Sequence, residues 1–149
     1  MKGSRGGDPS DANRRLAMVW GDGDTVRDPE GATYDRSKQV KAGAAQQRPD
    51  PDSLYTYYKK LIMIRKANPA IARGEYKSVS VEGTKVGGFT AAWEGTTVLV
   101  LHNPTKKAQI VDLSAIGDFT DLRAVIGQQD ASITGTTLTI GGQTSVVLG

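Results

Sequence analysis

The chain has 149 residues and a mass of 15.8 kDa, and 38% of its residues are hydrophobic, which suits one ordinary domain with a modest core. A closed (β/α)₈ barrel is excluded because it needs about 250 residues. The absence of cysteine excludes disulfides and thiol chemistry, and the single histidine excludes a multi-histidine metal site within one chain.

Positive charge is concentrated in the first half of the chain. Residues 1–74 carry 14 Lys or Arg and 9 Asp or Glu, whereas residues 75–149 carry 5 and 7. The two signs are interleaved, so we expect a solvated or partner-facing surface and no nucleic-acid partner. No apolar run approaches the roughly 20 residues that span a bilayer, so no membrane partner is expected either.

Residues 1–50 show neither a helical nor an alternating hydrophobic period, which predicts an irregular or disordered segment. Only the run Leu16–Trp20 is apolar enough to dock against other structure. Fifty residues exceed an ordinary connection inside a domain. We therefore expect either a functional loop supported by another part of the protein or a disordered arm.

Residues 51–68 are predicted to form an amphipathic helix with Asp50 as its N-cap. Its apolar stripe consists of Leu54, Tyr57, Tyr58, Leu61 and Ile62. Pro69 disfavours helical geometry in the residue before it, so the helix should end there. One further turn closed by Gly74 completes a helical region over residues 51–74.

From Glu75 onward the hydrophobic period changes to two, and short apolar runs alternate with glycine turns. This pattern predicts an antiparallel sandwich or Greek-key domain of seven to eight strands over residues 75–149. The continuous run Val98–Leu101 predicts a central strand buried on both faces. The predicted fold class is thus mainly β, preceded by one amphipathic α-helix and a long irregular N-terminal segment.

The candidate chemical groups do not form a recognisable catalytic or metal motif. The acids of the β-region lie in or beside predicted turns, where they are expected to be solvated: Glu82, Glu94, Asp118, Asp121 and Asp130. Asp22, Asp24 and Asp28 form a loose acidic run without the spacing of an EF-hand. His102 follows the buried strand, and the sequence supplies no nucleophile to pair with it. We predict no catalytic, cofactor-binding or metal-binding residue.

Aromatic residues are the remaining candidates, because exposed rings can stack on sugars. Trp93 and Tyr76, with Phe89, form a possible sugar platform, although each also fits a core position of its strand. Trp20 lies in the irregular segment, where a sugar-binding or a docking role is open.

The helical region carries the most specific pattern in the chain. The run from Ser53 to Ile71, followed by Gly74-Glu75-Tyr76, resembles the final barrel helix and the next turn of α-amylase family glycoside hydrolases, especially oligo-1,6-glucosidase and neopullulanase-like members. Asn13–Trp20 is similar to the loop after their last barrel strand. Val98–Asn103 resembles the central strand of their C-terminal β-domain.

The resemblance implies a non-catalytic C-terminal part of such an enzyme. The nucleophilic aspartate, the acid/base glutamate and the third aspartate of the family belong to barrel segments that would precede Met1. Residues 1–50 would be an active-site loop, with Arg15 and Trp20 at the rim of the substrate cleft. The expected partner of the β-domain is the barrel of the same polypeptide, which hydrolyses α-glucosidic bonds, and the helix stripe is expected to favour self-association.

Two other functions are compatible with the sequence. The β-domain could be a carbohydrate-binding module for starch or maltooligosaccharides on its aromatic rings. It could also be a protein-interaction module with an unrelated partner, although no residue pattern points to one.

Overall fold

The computed structural model describes residues 17–21 and 39–149. The chain divides into two compact units, Met1–Lys59 and Lys60–Gly149, and each is described by itself. The helices of the described residues are α1 (Ala44–Gln47), α2 (Leu54–Ala67), α3 (Ala70–Arg73) and a 3₁₀ helix (Leu113–Ala115). The strands are β1 (Glu75–Ser80), β2 (Gly87–Trp93), β3 (Thr96–Asn103), β4 (Gln109–Asp112), β5 (Leu122–Gly127), β6 (Ala131–Thr134), β7 (Thr137–Ile140) and β8 (Thr144–Leu148).

A short helix, α1, interrupts the segment that was predicted to be irregular. The backbone N–H groups of Ala44 and Ala45 donate to the carbonyls of Val19 and Trp20 at 3.0 and 2.7 Å. Four residues are too few to produce a hydrophobic period, which is why the sequence pattern missed this helix. Residues 1–16 and 22–38 of the predicted irregular segment lie outside the described residues.

Helix α2 begins at Leu54, three residues later than predicted, because Ser53 and not Asp50 caps it. The Ser53 Oγ accepts a hydrogen bond from the Thr56 N–H at 3.2 Å. The Asp50 carboxylate instead accepts from the Asp52 N–H at 2.9 Å, closing a local turn before the helix. The C-terminal end agrees with the prediction, since α2 ends at Ala67, before Pro69.

The strands form two antiparallel sheets, and this confirms the predicted β-rich class. The larger sheet has the order β1-β2-β3-β8-β5, and the smaller has the order β4-β7-β6. Buried aliphatic side chains from both sheets make one cluster, which we name the inner core: Val86, Leu99, Leu101, Val111, Leu113, Leu138, Ile140, Val146 and Leu148. The two sheets therefore pack as two layers around the inner core.

Strand β3 is buried on both faces, as the run Val98–Leu101 predicted. Leu99 and Leu101 point into the inner core. Val98 and Val100 point the opposite way, into a second cluster that we name the outer cluster: Ala70, Ala91, Val98, Val100 and Val147. Ile64 of α2 and Ile71 of α3 pack against the outer cluster, so the end of the helical region rests on the larger sheet.

Asn103 fastens the two sheets together at the end of β3. Its side chain is buried, and its Nδ2 donates to the carbonyls of Lys107, Ile140 and Gly141 at 2.8, 3.1 and 2.9 Å. Its Oδ1 accepts from the Thr105 N–H at 3.1 Å and from the Thr105 hydroxyl at 2.8 Å. Every polar atom of this buried amide therefore has a partner, as a stable interior requires.

His102 lies on the outer face of the larger sheet. Its Nδ1 is 2.7 Å from the Ser145 hydroxyl on β8, and its ring centroid is 6.4 Å from that of Phe89. Although the residue is partly exposed, desolvation of the ring lowers the pKa of His102. The folded domain therefore favours the neutral ring.

Truncating the inner core is expected to destabilise the domain. Leu101→Ala removes a fully buried side chain and leaves a cavity, so the free energy of unfolding should fall by about 2–5 kcal/mol. The control is Ile110→Ala, because Ile110 is 68% exposed and its loss should cost no more than about 0.5 kcal/mol. Urea unfolding followed by circular dichroism measures both; equal losses would contradict the assigned core.

Acidification is expected to weaken the domain through His102. The pKa of His102 in the folded domain lies below the unfolded value of 6.5, so protonation of the ring disfavours the folded state. The stability that the neutral ring provides is complete above pH 6.5 and is lost as the pH falls through the lowered folded pKa. Titration of the His102 ring protons by NMR should give a midpoint below 6.5. His102→Gln should reduce the loss of stability between about pH 7.5 and pH 5.5 in urea unfolding. A midpoint at or above 6.5 would disprove this prediction.

Candidate functional site

The two residues predicted at the rim of a substrate cleft are not both described. Arg15 lies outside the described residues. Trp20 lies in the coil of residues 17–21, and 64% of its surface is exposed. A rim formed by Arg15 and Trp20 therefore stays a prediction.

Tyr76 and Trp93 lie on the outer face of the larger sheet, where the sequence placed a possible sugar platform. Tyr76 pairs with Ala91 in the register of β1 and β2, and Trp93 is two residues further along β2. The Tyr76 ring is exposed and lies 5.0 Å from that of Phe89, and its hydroxyl donates to the carbonyl of Ile71. Trp93 is half-buried and packs against the outer cluster. Each ring is thus held by the protein, and their joint use as a platform stays a prediction.

A cavity of about 450 Å³ opens beside Trp93, between the turn at Pro69 and the β2–β3 hairpin. Its polar and aromatic lining comprises Asn68, Arg73, Trp93, Glu94, Thr96 and Arg123. A second cavity of about 390 Å³ adjoins it, sharing Pro69 and Arg73 and adding the cations Arg65 and Lys66. Sequence reasoning missed both, because the lining residues come from separate elements and form no local motif.

The acids of the β-region are solvated, as the sequence predicted. Glu82, Glu94, Asp118, Asp121 and Asp130 are all exposed. Asp121 makes an ion pair with Arg123, with 3.2 Å between Oδ2 and Nε. The pKa of Asp112 is lowered by hydrogen bonds from the side chain and backbone of Ser114, which belong to the start of the 3₁₀ helix.

The described part of the chain holds no cluster of three or more His, Asp or Glu side chains that could bind a metal ion. The acidic run of Asp22, Asp24 and Asp28 lies outside that part. Among residues 17–21 and 39–149, no helix combines the length and apolarity needed to cross a membrane. The cavity beside Trp93, at about 450 Å³, has the size of a small-molecule site.

Sequence comparison finds relatives among glycoside hydrolases. The chain is 29% identical over 101 residues to the trehalose-6-phosphate hydrolase of Escherichia coli (strain K12), an alignment that covers 65% of this chain and 18% of the relative. It is 26% identical over 122 residues to the oligo-1,6-glucosidase of Bacillus cereus, covering 79% and 22%. The chain thus spans about a fifth of the length of these curated relatives. No family model matches it.

Structural comparison agrees with the sequence relatives. Amy13B of Eubacterium rectale superposes with a TM-score of 0.75 at 29% identity, covering 99% of this chain and 29% of that one. An α-amylase from H. orenii superposes with a TM-score of 0.64 at 23% identity, covering 88% and 27%, which shows likeness of fold. Sequence and fold together match the chain to the C-terminal part of longer glycoside hydrolases of the α-amylase family.

Proposed function

We propose that the chain supplies the last barrel loop, the last barrel helix and the C-terminal β-domain of an α-amylase family enzyme. In this proposal the barrel hydrolyses α-glucosidic bonds of starch-type sugars, using carboxylates outside residues 1–149. The chain itself is not catalytic. Its β-domain stabilises the barrel, which is its partner within one polypeptide.

One observation carries this proposal: large apolar side chains are exposed along α2, whereas the inner core is complete. The exposed side chains are Leu54 at 66%, Tyr58 at 58%, Ile62 at 53% and Met63 at 60%. Leu54, Tyr58 and Ile62 follow one another at four-residue steps and form one apolar stripe, and an exposed stripe of this kind marks a surface that another structure covers. The relatives are several times longer than this chain, which leaves room for such a structure.

The contacts of the second unit suggest how the β-domain would stabilise a barrel. Ile64 of α2 packs against the outer cluster, as do Ile71 of α3 and Trp93 of β2. Full burial of an aliphatic side chain contributes about 1.5–3 kcal/mol, and each of these partly buried side chains contributes less than that. The sheet would therefore hold the end of α2 in place, and a barrel that packs on the stripe of α2 would gain a fixed surface.

The chemistry of the described acids supports a non-catalytic role. A retaining glycosidase needs two carboxyl groups about 5–5.5 Å apart, one of them with a raised pKa. The acids of the β-region that the sequence singled out are exposed, and the pKa of Asp112 is lowered, whereas an acid/base carboxyl needs a raised pKa.

The alternative of a starch-binding module has less support. Tyr76 is exposed, but its ring contacts Phe89 and its hydroxyl is bound to Ile71. A flat platform for a long glucan needs several rings with free faces. The described outer face offers Tyr76 and a half-buried Trp93.

The 149-residue chain is expected to be inactive on α-glucosides. Purified protein is incubated with maltooligosaccharides, isomaltose and soluble starch, and released reducing ends are counted against buffer. Hydrolysis well above the buffer rate would overturn the proposal.

Sequencing the gene upstream of the Met1 codon is the second test. We expect an in-frame barrel with three active-site acids there, and a stop codon would contradict the fragment assignment.

Without a barrel, the stripe of α2 is expected to drive self-association. Sedimentation velocity should show a mass that rises with protein concentration. Replacing two exposed residues of the stripe, Leu54→Glu with Ile62→Glu, should return the chain to a monomer without loss of helicity. Lys60→Gln is the control, because it changes the charge of the same helix and keeps the stripe. A wild-type chain that stays monomeric at high concentration would refute this prediction.

A further inference from the structure

The cavity beside Trp93 has walls that the fold holds in place. Asn68 is buried, and its Nδ2 donates to the carbonyl of Ile64 at 2.9 Å, which fixes the turn before Pro69. On the opposite side, Glu94 and Gly95 make the tight turn of the β2–β3 hairpin with φ of 47° and 77°. All lining residues belong to the unit Lys60–Gly149. The site is thus built by a helix end, a hairpin and β5.

The lining combines an aromatic ring with hydrogen-bonding groups. Trp93 is anchored by the outer cluster and lines the cavity, so its position is set before any ligand arrives. The Asn68 Oδ1 has no hydrogen-bond partner among the described residues and can accept from a hydroxyl. Glu94 adds a carboxylate and Thr96 a hydroxyl. An aromatic ring beside several acceptors suits a polyhydroxylated ring compound.

Two guanidinium groups give the cavity a positive character. The Arg123 Nε is bound to Asp121, whereas Arg73 makes no ion pair with any residue of the described ranges. Arg65 and Lys66 in the adjoining cavity strengthen the positive potential around Arg73. With Glu94 opposing them, these charges suit a small ligand with one anionic group and disfavour a polyanion.

We propose that this cavity binds a sugar that carries one anionic group, a phosphate or a carboxylate. The sugar ring lies against Trp93, its hydroxyls bind Asn68, Glu94 and Thr96, and Arg73 holds the anion. A volume of about 450 Å³ lies in the range of small-molecule sites, about 300–1,000 Å³. The inference does not depend on the proposed function, because it uses no residue of the α2 stripe and no barrel.

The test uses tryptophan fluorescence of the full chain in the variant Trp20→Phe, which leaves Trp93 as the single tryptophan. Glucose 6-phosphate and glucuronate are titrated separately, and each should give a saturable change in emission. Amide chemical shifts of Glu94, Gly95 and Thr96 give a readout independent of the ring. A phosphate-only or a carboxylate-only response decides which of the two anionic groups the site accepts.

Arg73→Ala is the decisive variant, and Arg48→Ala is its matched control. Both arginines are exposed, and Arg48 lies in the other unit. Loss of the charge-assisted hydrogen bonds should weaken binding at least about tenfold in Arg73→Ala and leave Arg48→Ala unchanged. Neutral glucose and inorganic phosphate should each bind at least about tenfold more weakly than the anionic sugars.

Three outcomes would overturn the proposal. If maltoheptaose binds as tightly as glucose 6-phosphate and Arg73→Ala has no effect, Trp93 belongs to a neutral-glucan platform. If inorganic phosphate alone binds as tightly as the sugar phosphate, the cavity is an anion contact without a sugar subsite. If no sugar changes the fluorescence or the amide shifts at millimolar concentration, the cavity binds no ligand of this class.

Discussion

The burial of β3 on both faces is the constraint on which the rest of the domain depends. Leu99 and Leu101 close the inner core against the smaller sheet, while Val98 and Val100 receive the end of the helical region. Each fully buried aliphatic side chain contributes about 1.5–3 kcal/mol of burial free energy, which opposes the conformational entropy lost on folding. Without apolar residues on both faces, either the second sheet or the helical region would lose its contact with the larger sheet.

Helix α2 packs against the larger sheet with only one of its sides, and this contact determines which of its side chains are exposed. Ile64 and Ile71 are held by the outer cluster, but Leu54, Tyr58 and Ile62 of the stripe remain exposed. In a globular protein, the apolar stripe of a helix is usually covered by other parts of the structure. The chain matches the C-terminal part of longer α-amylase family enzymes, and under the proposed function the barrel of such an enzyme covers this surface.

The junction that attaches the helix also forms the cavity. Trp93 packs against the outer cluster and also lines the cavity, so one side chain belongs to both. Asn68 and Pro69 end α2 and line the same space. A ligand held there would contact the helix end, the β2–β3 hairpin and β5 together, and would therefore stabilise the attachment of the helix to the sheet through linkage.

The sequence by itself determined the elements whose signals are local. Four consecutive apolar residues predicted a strand buried on two faces, Pro69 predicted the end of the helix, and the helical run indicated the family. Only the tertiary structure decided the cap at Ser53, the short helix α1 and the pairing order β1-β2-β3-β8-β5. The cavity is likewise a tertiary property, because residues from 67 to 123 meet there through contacts that no local period encodes. Local patterns specify which face of an element is apolar, whereas the neighbour that covers that face depends on the packing of the whole chain.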